Sequence, residues 1–296
     1  MVDVETGGIE NFIASYVLKG ERAAIVETGP SSSVPNLLAG LSNLGVNVKD
    51  VAYVAVSHIH LDHGGGVGRL VKSLPNAKVV VHPRGVPHLI DPSKLWEQSQ
   101  AVLGKEISDL YGAPEPVPAD RIAGGFDGMV LDVGGGVRLQ VVETTGHASH
   151  HQSYLDLVDK GVFPGDAAGI YLNKVGVVVP TTPAPFRLDV ALASLDKLVG
   201  LRPSALYYSH FGLGRDAVAK LNQYKRQLGL WAKVAKEGLA AGESVEAISS
   251  RITEADPAIG KAFDYISGHS VLGKTVLSQS VQGVVDFVQK FGFSSV

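Results

Sequence analysis

The 296-residue chain contains no cysteine. That absence removes disulfides, iron–sulfur clusters, thiolate zinc sites and a cysteine nucleophile together. Neither charge sign is in marked excess: 26 Lys and Arg against 29 Asp and Glu leave a net charge of −3. Such a balance offers no basic footprint for nucleic acid. No stretch reaches the roughly 18 uninterrupted apolar residues of a membrane span. The opening MVDVETGGIENF is acidic where a secretory signal would be basic and then apolar, so a cytoplasmic location is expected. Internal repeats and low-complexity tracts are lacking too. What is present is a globular composition, 45% apolar and 19% charged, which excludes a disordered chain. At this length a core forms without covalent staples. The 35 glycines imply many tight turns and close backbone approaches.

Short β-rich runs alternate with helix-like segments over the first 215 residues. Phe12–Leu18 and Ala23–Val26 flank the turn residues Lys19, Gly20 and Glu21 and read as a hairpin. Val51–Val56 and Lys78–Val81 read as buried strands, whereas Val137–Val142 alternates as a half-buried strand should. Gln152–Leu157, Val162–Pro164, Val175–Val179 and Ala205–Tyr208 complete the expected strands. Turn and cap residues from Gly29 to Ser33 precede a helix carrying Leu37, Leu38, Leu41 and Leu44. Further helices are expected over Gly66–Leu74 and over Asp189–Val199, the latter capped by its Asp. Asp91–Tyr111, with an Asp cap and Pro92 at the first helical position, reads as a helical insertion before the Pro-rich connector Ala113–Pro118. Leu221, Tyr224, Leu228, Trp231 and Val234 form a helical stripe. Residues 216–296 are therefore expected to form a helical C-terminal region beside a main domain of residues 1–215. Strands with interspersed helices point to an α/β fold of two sheets with outer helices.

The chemistry concentrates in His58-Ile59-His60-Leu61-Asp62-His63, directly after the apolar strand Val51–Val56 and before three glycines. His58 and His60 are two apart, so on an extended segment they leave from one side and can share a metal. Asp62 and His63, on the turn beyond, can point toward a second ion in the same cavity. Three further strand-to-loop junctions carry a donor beside Gly or Ser: Gly146-His147, Gly165-Asp166 and Ser209-His210. The seven donors are nitrogen and oxygen without sulfur, a set that suits zinc, manganese or iron.

This order of motifs, H-x-H-x-D-H, then G-H, then G-D, then S-H, resembles the metallo-β-lactamase fold superfamily from about Asn11 to His210. The resemblance implies a four-layer αββα sandwich with metals at the sheet edge. It also implies that His58, His60 and His147 hold one metal, that Asp62, His63 and His210 hold the other, and that Asp166 bridges them. Val81–Gly85 and Thr145–His151 look like the glyoxalase-II-like hydrolases of the superfamily. Glu27-Thr28-Gly29 departs from the family's usual Asp-Thr-Gly. The missing cysteine sets aside the commonest β-lactamase class, and His60 in place of Glu sets aside flavodiiron reductases. Quorum-signal lactonases carry Tyr three residues after the bridging Asp, where this chain has Gly169, its first Tyr being Tyr171.

The expected function is a dinuclear metal-dependent hydrolase cleaving a small ester, lactone, thioester or phosphoester through a metal-bridging hydroxide. Zinc is the first expectation for both divalent ions, with iron or manganese as alternatives. Asp62 and Asp166 are expected to serve catalysis as well as metal binding, and Tyr171 is the candidate donor to the substrate oxyanion. The rival is an oxidoreductase like the superfamily's persulfide dioxygenase, with one iron on two His and one Asp. A non-catalytic scaffold is disfavoured because no ligand is missing. The expected partner is a small-molecule substrate, with self-association into a homodimer allowed and neither nucleic acid nor a membrane involved. Leu95, Trp96, Val102 and Leu103 of the insertion, with Thr181–Phe186, suggest an apolar cleft. His82 and His88 read as structural, and His150 and His151 as neighbours able to support a ligand. Gly268–Thr275 fits the P-loop expression, but the helix-like Ile259–Ile266 before it makes a turn between helices the better reading.

Overall fold

The computed structural model describes residues 1–293. β1 (Val2–Asp3), β2 (Ala14–Lys19) and β3 (Ala23–Val26) lead to α1 (Val34–Asn43), β4 (Val51–Ala55), α2 (Leu61–Gly64), α3 (Val67–Val71) and β5 (Lys78–Val81). Next come α4 (Val86–Ile90), α5 (Ser93–Tyr111), β6 (Ile122–Gly124), β7 (Val130–Asp132), β8 (Arg138–Glu143), β9 (Gln152–Asp156) and β10 (Val162–Phe163). A hairpin of β11 (Ile170–Leu172) and β12 (Val177–Val179) precedes α6 (Leu188–Gly200), β13 (Leu206–Tyr208) and β14 (Gly212–Gly214). The described chain ends in α7 (Ala217–Ala240), α8 (Val245–Ala255), α9 (Pro257–Gly268) and α10 (Leu272–Phe291). Two compact units result. One holds Met1–Glu143, Ser149–Gly165 and Ser204–Arg215; the other holds Thr144–Ala148, Asp166–Pro203 and the stretch from Asp216 onward.

The first unit contains two six-stranded mixed sheets, ordered β1-β2-β3-β4-β5-β6 and β14-β13-β10-β9-β8-β7. β3 to β6 run parallel and β1 to β3 antiparallel; in the second sheet only β10 and β13 are parallel. The sheets share one core. Ala14, Tyr16, Val26 and Val80 from one face meet Leu139, Val141, Tyr154 and Phe163 from the other. Alternation accounts for this along β8, where Leu139 and Val141 turn inward while Arg138 is exposed. Each large side chain so buried contributes roughly 1.5–3 kcal/mol. Two buried phenols tie the sheets together. The Tyr154 hydroxyl lies 2.9 Å from the carbonyls of both Val56 and Val80, and Tyr16 donates to the Tyr208 carbonyl at 2.7 Å. The ends of β4 and β13, where the ligand motifs begin, are thereby held by hydrogen bonds in a dry interior.

Several element boundaries differ from the sequence expectation. The expected helix over Gly66–Leu74 shortens to α3, Val67–Val71. The insertion is α5 with a break at Gly104, whose φ of 75° and ψ of 168° no helix accommodates. Asp91 accepts from the Ser93 backbone at 3.1 Å but stands outside the helix, which Pro92 caps. Asp189 occupies the first turn of α6, paired with Arg187 at 2.6 Å, instead of capping it.

In the second unit, α7 buries the stripe Leu221, Tyr224, Leu228, Trp231 and Val234, and α10 packs on α7, α8 and α9. Asp256 is buried among these helices, which is tolerable because its carboxylate is satisfied. Its Oδ2 accepts from Gln227 Nε2 and Trp231 Nε1, both at 2.7 Å, and its Oδ1 caps α9 through the Ala258 N–H. The P-loop-like stretch joins α9 to α10, with Lys274 already helical. The His269 ring accepts from the Val271 and Leu272 N–H groups, the kind of donor a phosphate would need. No helix among the described residues is long and apolar enough to cross a membrane.

Candidate metal site

β4 leaves the sheet at Val56, and the chain turns through Ser57 and His58 before His60 caps the four-residue α2. That short helix places Asp62 and His63 one after the other while His58 and His60 precede it in extended chain. The Glu27-Thr28-Gly29 segment at the end of β3 fixes the arrangement. Thr28 donates to the His63 carbonyl from its N–H at 3.1 Å and its hydroxyl at 2.8 Å. Gly29, at φ 68°, lies so close to Gly66 that a Cβ on Gly66 would stand 2.9 Å from the Gly29 carbonyl oxygen. Glu27 is buried in the left-handed region at φ 67°. Its Oε1 accepts from the Ser57 N–H at 3.2 Å, and its Oε2 stands 3.5 Å from His63 Nδ1. The acidic position of this segment thus reaches both the ligand turn and a ligand ring.

His210 comes from the far sheet, just beyond β13, and its Nδ1 lies 3.0 Å from the Phe12 carbonyl. Asp62, His63 and His210 present ligand atoms all within 4.8 Å of one another. His210 Nε2 is 3.5 Å from Asp62 Oδ2 and 3.3 Å from His63 Nε2. His58 Nε2 lies 3.0 Å from His60 Nδ1, while its Nδ1 is held by Ser57 Oγ at 2.9 Å. His63, His58 and His210 are buried, whereas the Asp62 side chain is 24% exposed, making it the open side of this group. The rings of His150 and His151 stand 6.2 and 5.0 Å from that of His58.

In the second unit His147 Nε2 is 3.6 Å from Asp166 Oδ2, both residues being buried. His147 sits on a loop pressed onto α6. Ser194 donates to the Thr145 carbonyl at 2.7 Å, the Arg187 N–H donates to the Gly146 carbonyl at 3.1 Å, and a Cβ at Gly146 would stand 2.5 Å from the Ala191 Cα. Only glycine permits that approach. His147 Nδ1 lies 2.8 Å from the Thr181 carbonyl, and the Thr181 hydroxyl reaches Asp166 Oδ2 at 3.5 Å. Tyr171 stands apart in character: half-buried on β11, its ring lies 4.8 Å from the Lys220 ammonium.

The donor chemistry fits metal ions. In His58, His63, His147 and His210 the Nδ1 atom faces a hydroxyl, carboxylate or carbonyl oxygen, leaving Nε2 to bind. Oxygen partners behind the rings are what orient metal-binding imidazoles. Two pairs of imidazole nitrogens, 3.0 and 3.3 Å apart, each need a shared proton or a cation between them. Oxygen and nitrogen donors in these groups suit a binuclear centre. The seven residues expected from the sequence as donors each fall in a group able to hold an ion; Glu27 drew notice there only as a departure from the family pattern, and Thr181 only as part of the cleft.

Residues 8–210 match the metallo-beta-lactamase superfamily. The chain belongs to that superfamily. It is 32% identical over 203 residues to the metallo-beta-lactamase fold-containing protein ST1585 of Sulfurisphaera tokodaii, covering 67% of this chain and 72% of the relative. The crystal structure of ST1585 superposes with a TM-score of 0.64 at 30% identity, over 74% of this chain and 80% of that one. TTHA1429 from Thermus thermophilus, at 21% identity, shares the fold over 95% of this chain and 89% of its own, with a TM-score of 0.67. The N-acyl homoserine lactonase AttM of Azorhizobium caulinodans is 30% identical over 152 residues, 51% of this chain and 48% of the lactonase. The hydroxyacylglutathione hydrolase of Cupriavidus taiwanensis is 27% identical over 234 residues, 77% of this chain and 69% of the hydrolase. The protein is a metal-dependent hydrolase of this superfamily, with two mixed sheets and a helical C-terminal region.

Proposed function

We propose that the chain hydrolyses a small carboxylic ester, lactone or thioester at a two-metal centre held by His58, His60, Asp62, His63, His147, Asp166 and His210. The observation that carries this reading is the donor set: imidazoles with one nitrogen braced by oxygen and the other turned toward a second imidazole or a carboxylate. Paired divalent ions, zinc before iron or manganese, would supply Lewis acidity and a nucleophilic water at neutral pH. Following the family pattern, His58, His60 and His147 are assigned to one ion, Asp62, His63 and His210 to the other, and Asp166 to both. Residues 1–215 are taken as the catalytic domain and 216–296 as the helical region that supports it.

The protein's own contribution is placement. Asp62, the most exposed ligand of its group, is suited to accept a hydrogen bond from the attacking water and orient it. Tyr171, half-buried, is proposed to donate to the oxygen on which charge develops. Phe186 and Ala191 pack beside His147 and Asp166 with no room between them for a water molecule, an apolar backing to that pair. Similarity to a homoserine lactonase and to a hydroxyacylglutathione hydrolase supports lactones and thioesters as the substrate classes, and a glyoxalase-II-like placement within the superfamily.

The test is a substrate panel. Purified chain loaded with Zn²⁺, Mn²⁺ or Fe²⁺ is assayed on an N-acyl homoserine lactone, an acyl thioester, a phosphodiester, a β-lactam and a persulfide. The highest kcat/KM is expected for a lactone or thioester. Oxygen uptake with the persulfide, at one iron per chain, would replace this reading with the oxidoreductase one.

A further inference from the structure

The C-terminal helices touch the segment Pro180–Thr182, and that segment touches two ligands. Thr181 is its centre. The carbonyl of Thr181 faces His147 Nδ1 at 2.8 Å, and its hydroxyl reaches Asp166 Oδ2 at 3.5 Å. From α7, the buried Tyr224 lies beside the Thr181 backbone. From α10, the buried Ser280 grips the residues on either side. Its hydroxyl donates to the Pro180 carbonyl at 3.2 Å and accepts from the Thr182 N–H at 3.2 Å. Its own carbonyl accepts from the Thr182 hydroxyl at 2.7 Å. One helical turn on, Gly283 lets α10 lie against this backbone: a Cβ there would stand 1.9 Å from the Thr182 carbonyl oxygen.

We infer that Pro180–Thr182 is a strap through which α7 and α10 set the position and tautomer of the His147–Asp166 pair, making Tyr224, Ser280 and Gly283 positioning residues for metal binding. The physical chain is short. A carbonyl held opposite Nδ1 keeps the proton there and leaves Nε2 as the donor to a cation, the role that braced imidazoles play at metal sites generally. The carbonyl can do so only where the strap is fixed. Hydrogen bonds between Ser280 of α10 and both Pro180 and Thr182 fix it on one side, and Tyr224 of α7 backs it on the other. Proline before the hub and the buried Thr182, bonded through both its amide and its hydroxyl, leave the strap little conformational freedom of its own. The helical region is then part of the metal site's support, and losing its grip loosens one donor pair without removing any donor.

This inference rests on the proposed two-metal reading, and the experiment separates the two. Metal-depleted full-length protein is titrated with Co²⁺ against a competing chelator while the visible absorption of the bound ion is followed, for wild type and for Ser280→Ala, Tyr224→Leu and Gly283→Ala. Wild type should show two binding steps. Ser280→Ala and Tyr224→Leu should weaken the step that His147 serves by about tenfold or more, as outer partners of metal ligands do, and shift its absorption band, with the other step, which shares only Asp166, weakened far less. Gly283→Ala should do the same or worse, and if it fails to fold the other two variants carry the test. A general loss of stability would weaken both steps equally, and that result overturns the strap. So do two unchanged steps. A wild type that binds no second ion overturns the two-metal reading itself.

Discussion

Replacing Glu27 by Gln changes one atom of the carboxylate and should reverse the tautomer of His63, a proposed metal ligand. The wild-type side chain bridges two groups, accepting from the Ser57 N–H at 3.2 Å and standing 3.5 Å from His63 Nδ1. An amide that keeps its oxygen on Ser57 turns its NH₂ toward His63. The ring must then accept at Nδ1 and carry its proton on Nε2, the atom 3.3 Å from His210 Nε2 and 3.9 Å from Asp62 Oδ2. The amide turned over sets its NH₂ against the Ser57 N–H, a buried donor facing a donor, at about 1–3 kcal/mol. Either outcome works against metal binding at Asp62, His63 and His210. A loss of about 10–100-fold in affinity, or about 1.4–2.8 kcal/mol, is expected. Chelator competition with Zn²⁺ measures it, and circular dichroism in excess chelator checks that the fold survives. An affinity for both ions within twofold of wild type would refute the idea that Glu27 sets the His63 tautomer.

Asp166→Ala should leave two cations without a shared anionic ligand, so elemental analysis is expected to find at least one ion depleted per chain. Trp231→Phe removes one of the two side-chain donors from the buried Asp256 Oδ2 and should cost about 1–3 kcal/mol, lowering Tm in thermal unfolding with metal content unchanged. Burial pushes the phenols of Tyr16, Tyr154 and Tyr224 above their ordinary 10.0 in the folded protein. Below pH 10 this has no effect, but above it the unfolded chain releases protons the folded one keeps. Stability should then fall by about 1.4 kcal/mol per pH unit for each phenol. Urea unfolding between pH 9 and 11 tests this, and Tyr154→Phe should flatten the slope by one such increment.

How much could be read ahead of the structure depended on what each part is made of. The hairpin of β2 and β3, the strands β4 and β5 and the alternating β8 were visible because period-two patterns and apolar runs come from local chain geometry. β6, β7, β11 and β14 run to only three residues each, too short for any period to register, and their strand character comes from the neighbours they pair with. The site divided along a similar line. His58 through His63 advertise themselves by spacing, and His147, Asp166 and His210 by following strands beside Gly or Ser. Glu27, Thr181, Tyr224 and Ser280 carry no such mark, since the first acts across 36 residues of sequence and Ser280 acts across about a hundred. The break at Gly104 was hidden because the apolar stripe of the insertion resumes on the far side of it.

Under the proposed function, hydrolysis needs two bound ions acting together. Metal-depleted protein titrated with Zn²⁺, with lactone or thioester hydrolysis read after each addition, tests it directly. Little activity is expected up to one equivalent per chain, a steep rise between one and two, and a plateau beyond. Full activity at a single equivalent, or none at two, would contradict it.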